Sequence, residues 1–137
     1  MAEKTGEQHV KYLLNAHGIT PTQQRIKIAN FLFKKQQHVS ADQILSTINQ
    51  GQQPVSKATV YNTLGLFANK GLLREVIIDP NKVFYDTNTK HHHHFYNTDT
   101  NTLTDVNDGE ITIQNLPALP KGTDFHSVEV IIKVNNQ

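Results

Sequence analysis

The chain contains no cysteine and no tryptophan, and only one methionine occurs among its 137 residues. Without cysteine it can form no disulfide, no thiolate zinc site and no thiolate haem ligation, so nitrogen and oxygen atoms must hold any metal. The sequence also lacks an apolar run near the roughly 20 residues that cross a membrane, and it lacks a charged-apolar leader. We therefore expect a soluble, cytoplasmic protein with no membrane partner.

Net charge is small as well, but the +1 of the whole chain hides an asymmetry. Residues 1–86 carry ten Lys/Arg against six Asp/Glu, whereas residues 87–137 carry three against six. A basic first part indicates an anionic partner such as double-stranded DNA. The alternative explanation of the same excess is an ordinary solvated face.

Apolar periodicity and capping residues predict four helices, which cover 8–17, 20–35, 41–50 and 57–70. Thr20 and Ser40 are each followed three residues later by glutamine, which is the pattern of a capping box. Ser56 can cap the fourth helix, and Gly71 can end it.

The fourth helix has two different faces. Val60, Leu64 and Phe67 recur at the spacing of a buried stripe, while Lys57 and Tyr61 lie on another side. Two strand-like segments, 73–78 and 83–86, follow with a turn between them. Helices followed by a hairpin predict a winged helix-turn-helix whose fourth helix enters the major groove and whose hairpin is the wing. The candidate DNA-contacting residues are Arg25, Lys57, Thr59, Tyr61, Asn62, Arg74 and Lys82.

Four adjacent histidines, His91–His94, lead into Phe95 and Tyr96. In an extended chain successive side chains alternate between faces, so His91 and His93 point one way while His92 and His94 point the other. Each pair is a His-x-His arrangement, and imidazole nitrogens suit zinc, iron and, less strongly, manganese. The run therefore predicts two metal sites on opposite faces. A tag remnant or a solvated loop is the alternative.

The remaining segments predict a small β structure, with strands at 95–97, 103–106 and 125–134 and a proline-containing loop at 115–122. Some fifty residues of mostly strand form too small a core to be secure alone, which favours dimerisation through this half. The predicted class is α+β. Residues 1–86 form a winged-helix DNA-binding domain, 87–90 a hinge, and 91–137 a mainly β dimerisation and metal-binding domain.

At this point the chain resembles the ferric uptake regulator family over nearly its whole length. The residues that carry the resemblance are His38–Ala41, Ala58–Tyr61, Val83–Phe84, His91–His94 and His126. Within the family it is most similar to the iron response regulator branch, which has a polyhistidine run before an aromatic pair.

The resemblance implies a dimeric DNA-binding regulator with two metal sites. The first, at the hinge, matches His38, His92, His94 and Asp105. Where many members have a further glutamate ligand, this chain has Tyr85, with Asp86 beside it. The second site matches His91, His93 and His126, with Glu110 as the nearest acid.

Two further expectations concern cofactors. Asn97 and Thr100 stand where many members have the cysteines of a structural zinc site, so we expect no such site. Haem is a further candidate ligand, and its axial ligands would come from His92, His93 and His94.

The resulting hypothesis is a metal- or haem-responsive transcription regulator of iron homeostasis. It binds palindromic operators as a homodimer or a higher oligomer, and it holds manganese, iron or zinc. A peroxide-, zinc- or manganese-sensing regulator of the same family is one alternative. A metalloenzyme built on two histidines and a carboxylate is another, but it leaves the winged helix unexplained. We therefore expect that the chain is not an enzyme.

Overall fold

The computed structural model describes residues 2–51 and 54–137, with side chains described from Gly6 onward. The chain divides into two compact units, the first ending at Thr89 and the second spanning Lys90–Gln137. In the first unit the elements are α1 Ala2–Ala16, α2 Gln23–Leu32, β1 His38–Ser40, α3 Ala41–Ile48, α4 Lys57–Asn69, β2 Arg74–Asp79 and β3 Lys82–Asp86.

Short polar side chains determine where the helices begin. The Ser40 side chain accepts from the backbone of Gln43, and the Gln43 side chain accepts from the backbone of Ser40, so the predicted capping box is confirmed. Ser56 caps α4 as predicted. For α2 the predicted cap was wrong, since Thr22 rather than Thr20 accepts from the backbone of Arg25. The helix therefore starts at Gln23, and Pro21 precedes it.

The turn between α3 and α4 is closed by Asn49. Its side chain donates to the Val55 carbonyl (2.9 Å) and accepts from the Val55 N–H (2.7 Å). This amide ends α3 at Ile48, before the predicted stop at Gly51. The helix-turn-helix geometry therefore rests on a side chain that satisfies both backbone groups of the residue just before the cap of α4.

The core of the first unit lies between the helices and the inner face of the sheet. Val60, Leu64 and Phe67 are fully buried, which confirms the predicted stripe of α4. They pack with buried residues of α1, α2 and α3, among them Leu14 and Ile44. Burial of this stripe leaves the opposite side of α4 facing solvent.

The first sheet has the order β1-β3-β2, with both pairings antiparallel. The hairpin of β2 and β3 is the predicted wing, displaced by one residue at its start. The strand β1 was not predicted, because three residues are too few to show an alternating pattern. Three residues pair there with the end of β3, and His38 lies opposite Asp86 in the register.

The second unit contains β4 His94–Asn97, β5 Thr102–Asp105 and β6 Ile131–Val134. The predicted hairpin is confirmed, since β4 and β5 pair antiparallel, and β6 joins β4 in parallel. The prediction of a strand over 125–134 was wrong in extent. Because β4 has only four residues, it pairs only with Ile131–Val134.

Tyr96, Leu103 and Val106 form the buried apolar part of the second unit, whereas Leu116, Leu119 and Phe125 are exposed. The predicted α+β class, a winged helix-turn-helix followed by a small, mainly β unit, is confirmed. Within the described residues, the helices all fall short of the length and apolar character that spanning a bilayer requires.

Candidate metal centre and nucleic-acid interface

The histidine run alternates between faces as its predicted extended conformation requires. His92 and His94 are buried, with ring centroids 4.3 Å apart, while His91 is exposed and its ring centroid lies 5.2 Å from that of His93. The run enters β4 at His94. Two separate histidine pairs therefore exist within the second unit.

The buried pair converges on Asp105. The antiparallel register places His94 opposite Asp105, and the Nε2 atoms of His92 and His94 lie 3.1 and 3.5 Å from one carboxylate oxygen. These three ligand atoms lie within 4.8 Å of one another. Two imidazole nitrogens and a carboxylate oxygen form a donor set that suits zinc, iron or manganese.

The hydrogen bond of His92 supports a cation at this place. Its Nδ1 contacts the Lys90 carbonyl at 2.6 Å, and since a carbonyl only accepts, Nδ1 carries the proton. In neutral His92 the Nε2 atom then has a lone pair, which faces the Asp105 carboxylate. Two acceptors that face each other repel unless a proton or metal ion lies between them. A metal-ligating histidine also ordinarily donates its other N–H to a carbonyl, as His92 does.

In the first unit, Asp86 rather than Tyr85 lies beside His38. The His38 Nε2 atom is 3.8 Å from an Asp86 carboxylate oxygen, and Asp86 is only 1% exposed. Tyr85 points the opposite way into the core, where burial and then Glu75 raise the pKa of its phenol. The sequence left the choice between Tyr85 and Asp86 open, and the position of Asp86 beside His38 makes Asp86 the candidate ligand. The alternation along β3 would have identified it, had β1 been predicted.

His91, His93 and His126 line one cavity of about 340 Å³ in the second unit, together with apolar side chains that include Ile111 and Phe125. The structure thus brings the three predicted histidines of the second site together. Glu110 is exposed in a turn, and its neighbour Ile111 contributes to the lining instead.

In this second cluster His93 is less prepared for an ion than His92 is in the first. The Nδ1 atom of His93 accepts from the Val130 N–H (3.0 Å), so neutral His93 carries its proton on Nε2. The Nε2 atom of His91 bonds to the Val128 carbonyl and is therefore protonated. Coordination through His93 Nδ1 would break its bond to Val130.

On α4 the predicted nucleic-acid face is exposed at Lys57, Tyr61 and Asn62. The Lys57 ammonium lies over the Tyr61 ring, 5.6 Å from its centroid. The Thr59 backbone N–H donates to Ser56 at the start of the helix. Lysine, phenol and amide side by side form a surface that can contact base edges and phosphates.

The other predicted DNA contacts lie apart from one another. Lys82 is exposed next to the tip of the wing, whereas Arg74 lies at the other end of β2, opposite Asp86. The Arg25 guanidinium donates to the Thr20 carbonyl at 2.8 Å, which ties it to the start of α2. Among the wing residues, Lys82 is therefore the better placed for a phosphate.

Comparison with known proteins identifies the family. The model of the ferric uptake regulator family matches residues 16–133. The chain belongs to the ferric uptake regulator family. The prediction made from the histidine run and the winged helix is thereby confirmed at the level of the family, and the regulator hypothesis is favoured over a metalloenzyme.

Among curated proteins, the chain is similar to the peroxide-responsive repressor PerR of Staphylococcus aureus strain Mu50. The two are 32% identical over 81 residues, which is 59% of this chain and 55% of the relative. The same repressor from strain USA300 is 31% identical over a stretch of equal length. The chain thus spans about half the length of the curated relatives it matches.

Solved structures share the fold. The ferric uptake regulator of Francisella tularensis with iron gives a TM-score of 0.71 at 21% identity, covering 88% of this chain and 93% of that one. The ferric uptake regulator of Pseudomonas aeruginosa with manganese gives 0.66 at 22% identity, covering 90% and 95%. A zinc-bound manganese uptake regulator gives 0.68 at 19% identity, covering 93% and 98%.

Proposed function

We propose that this chain is a metal-responsive, DNA-binding transcription regulator that binds palindromic operators as a homodimer. The observation that carries the proposal is the convergence of His92, His94 and Asp105 in a chain whose other unit is a winged helix. A transcription regulator acts where the DNA is, so the proposal includes a cytoplasmic location.

His92, His94 and Asp105 would hold the ion. A bound divalent ion would supply the positive charge that offsets the repulsion between the His92 lone pair and the Asp105 carboxylate. Similar folds are described with iron, with manganese and with zinc, so these three metals are the candidates. The donor set accommodates all three.

The family resemblance assigns His38 to the same site, and we propose that His38, with Asp86 beside it, contributes to metal control of DNA binding. An ion that binds one arrangement of the protein more tightly shifts the population towards that arrangement by its differential affinity, and no more than that. His38→Ala should therefore weaken the metal dependence of operator binding. An unchanged metal dependence of operator binding in His38→Ala would contradict the role proposed for His38.

The homodimer is supported by the exposed apolar side chains of the second unit. Ile113, Leu116, Leu119 and Phe125 are each between 42% and 56% exposed in a unit with few buried residues. Covering such side chains is the usual role of an interface between identical chains. A dimer also presents two copies of α4, which matches the symmetry of a palindromic operator.

More specifically, we propose that the chain regulates iron homeostasis, as the iron response regulator branch does, and that haem is a second effector. Burial leaves little room for a haem plane at His92 and His94, because the two residues are at most 8% exposed. Peroxide sensing is the second candidate function. It is favoured by the similarity to peroxide-responsive repressors over 81 residues.

The test combines elemental analysis of the purified chain with operator binding. A duplex selected from a random pool would be titrated without added ligand and with manganese, iron, zinc or haem, and again after peroxide treatment. We expect sequence-specific binding that changes with at least one divalent ion. A response to haem alone would replace the metal proposal, a loss only after peroxide would establish the second candidate, and unspecific binding throughout would refute both.

A further inference from the structure

The DNA-reading face of α4 contacts an acidic residue from the neighbouring helix. Asp42 lies in the first turn of α3, and its carboxylate accepts a hydrogen bond of 3.0 Å from the Tyr61 hydroxyl. Both side chains are exposed, Tyr61 by 40%. A carboxylate next to Tyr61 is unexpected on a surface proposed to contact phosphates, because both groups are negatively charged.

The carboxylate fixes the direction of the tyrosine hydroxyl. An ionised carboxylate only accepts, so Tyr61 must donate its single hydroxyl hydrogen to Asp42. The hydrogen bond with Asp42, then burial and then the charge of Asp42 raise the pKa of Tyr61, so the phenol keeps its proton. The Lys57 ammonium over the ring holds the same side chain from within α4.

A phenol held in this way presents only an acceptor to an incoming molecule. In the major groove, adenine N6 and cytosine N4 are donors, whereas guanine O6 and thymine O4 are acceptors. A free tyrosine hydroxyl can rotate and serve either class. Tyr61 with its proton committed to Asp42 can accept from an amino group and cannot donate to a carbonyl.

We propose that Asp42 is a positioning residue that makes Tyr61 a hydrogen-bond acceptor, and that it thereby selects operator positions carrying an exocyclic amino group. This inference rests on the proposed function, since it assumes that α4 reads DNA.

A merely structural role for Asp42 is the competing explanation, because an acidic residue in the first turn stabilises a helix through its dipole. If Asp42 is only structural, Asp42→Asn should lower the melting temperature and should change the affinity for all duplexes equally. The positioning role predicts a change in the ratio between specific and unspecific affinity. It also predicts that the effect passes through Tyr61.

The experiment uses the full-length chain and a duplex selected by the wild type from a random pool. The variants are Asp42→Asn, Tyr61→Phe and the double variant. Glu7→Gln is the matched control, since it removes the same charge from an exposed residue of α1. The dissociation constants for the selected duplex and for a scrambled duplex would be measured at several salt concentrations, with melting curves for each variant.

We expect Asp42→Asn to lower the ratio of specific to unspecific affinity by about tenfold, with no change for Glu7→Gln. Tyr61→Phe should show a similar loss, and the double variant should be no worse than either single one. Since Tyr61→Phe leaves the start of α3 intact, it tests the inference even if Asp42→Asn is poorly folded. A pool selected by Asp42→Asn should lose its preference at an adenine or cytosine position.

If the ratio of specific to unspecific affinity were unchanged in either single variant, the inference would be overturned. Specific binding by the wild type would still support the proposed function. An Asp42→Asn loss that persists in the Tyr61→Phe background would also overturn it, since the effect would then be purely electrostatic. If the wild type itself failed to distinguish the two duplexes, the proposed function and the inference would both be refuted.

Discussion

His92 and His93, one from each histidine pair of the second unit, carry their protons on different nitrogens. His92 donates from Nδ1 to a carbonyl and keeps its Nε2 lone pair directed at Asp105. His93 instead uses its Nδ1 lone pair to accept from the Val130 N–H. A metal needs unprotonated nitrogens, so the Nε2 of His92 is available to an ion, whereas the Nδ1 of His93 already accepts a hydrogen bond.

We expect Asp105→Ala to lower the affinity for manganese or zinc by about tenfold or more, because it removes the only anionic member of the triad. Asp105 is half-exposed, so the substitution should leave the fold intact. Metal titration by calorimetry measures the change, and Asp108→Ala in the following turn is the control with equal charge. Equal metal affinity of the wild type and Asp105→Ala would place the ion elsewhere.

Some residues of the metal site could be predicted from the sequence, and others could not. The alternation of His91–His94 follows from local extended geometry, and it was confirmed. The sequence did not decide between Tyr85 and Asp86, because the position of Asp86 beside His38 depends on the pairing of β1 with β3. That pairing joins residues about fifty positions apart along the chain, and no local pattern in three residues predicts it.

Among helices and strands, the predictions were right where residues close together in the sequence determine the structure. The cap of α3 and the buried stripe of α4 depend on residues three or four positions apart, and both were predicted. The extent of β6 depends instead on the length of its partner β4. The alternating pattern of 125–134 also covers residues before the strand, where the Val128 carbonyl and the Val130 N–H bond to the side chains of His91 and His93 rather than to a strand.

The start of α2 provides a stability prediction with an internal control. Thr22→Ala should lower the free energy of unfolding by about 1 kcal/mol, because the Thr22 hydroxyl accepts from the Arg25 N–H at the helix start. Thr20→Ala should cost less, since Thr20 interacts there through its backbone carbonyl. Urea unfolding of both variants makes the comparison. A larger loss for Thr20→Ala would show that the helix begins earlier.

At the scale of the whole molecule, the two units are unequal in their ability to fold alone. The first unit has a continuous core that includes residues from all four helices, whereas the buried part of the second is small and many of its apolar side chains are exposed. The second unit is therefore the part that gains most from association with a second copy.

We expect a fragment of residues 1–89 to fold and to remain monomeric, and to bind a palindromic duplex far more weakly than the full chain. Both α4 helices must bind at once to reach full affinity, and the fragment cannot link them. Sedimentation and operator titration of the two proteins test this. A full-length monomer at micromolar concentration that still bound the duplex tightly would contradict it.

We propose that a divalent ion at His92, His94 and Asp105 controls DNA binding. The most direct measurement is the operator dissociation constant as a function of manganese, iron and zinc concentration, for the wild type and for Asp105→Ala. We predict that at least one ion changes the wild-type constant by about tenfold or more, which corresponds to a typical coupling energy between two sites. The variant should show little response. A wild-type constant that is independent of all three ions, or a full response in Asp105→Ala, would contradict the claim.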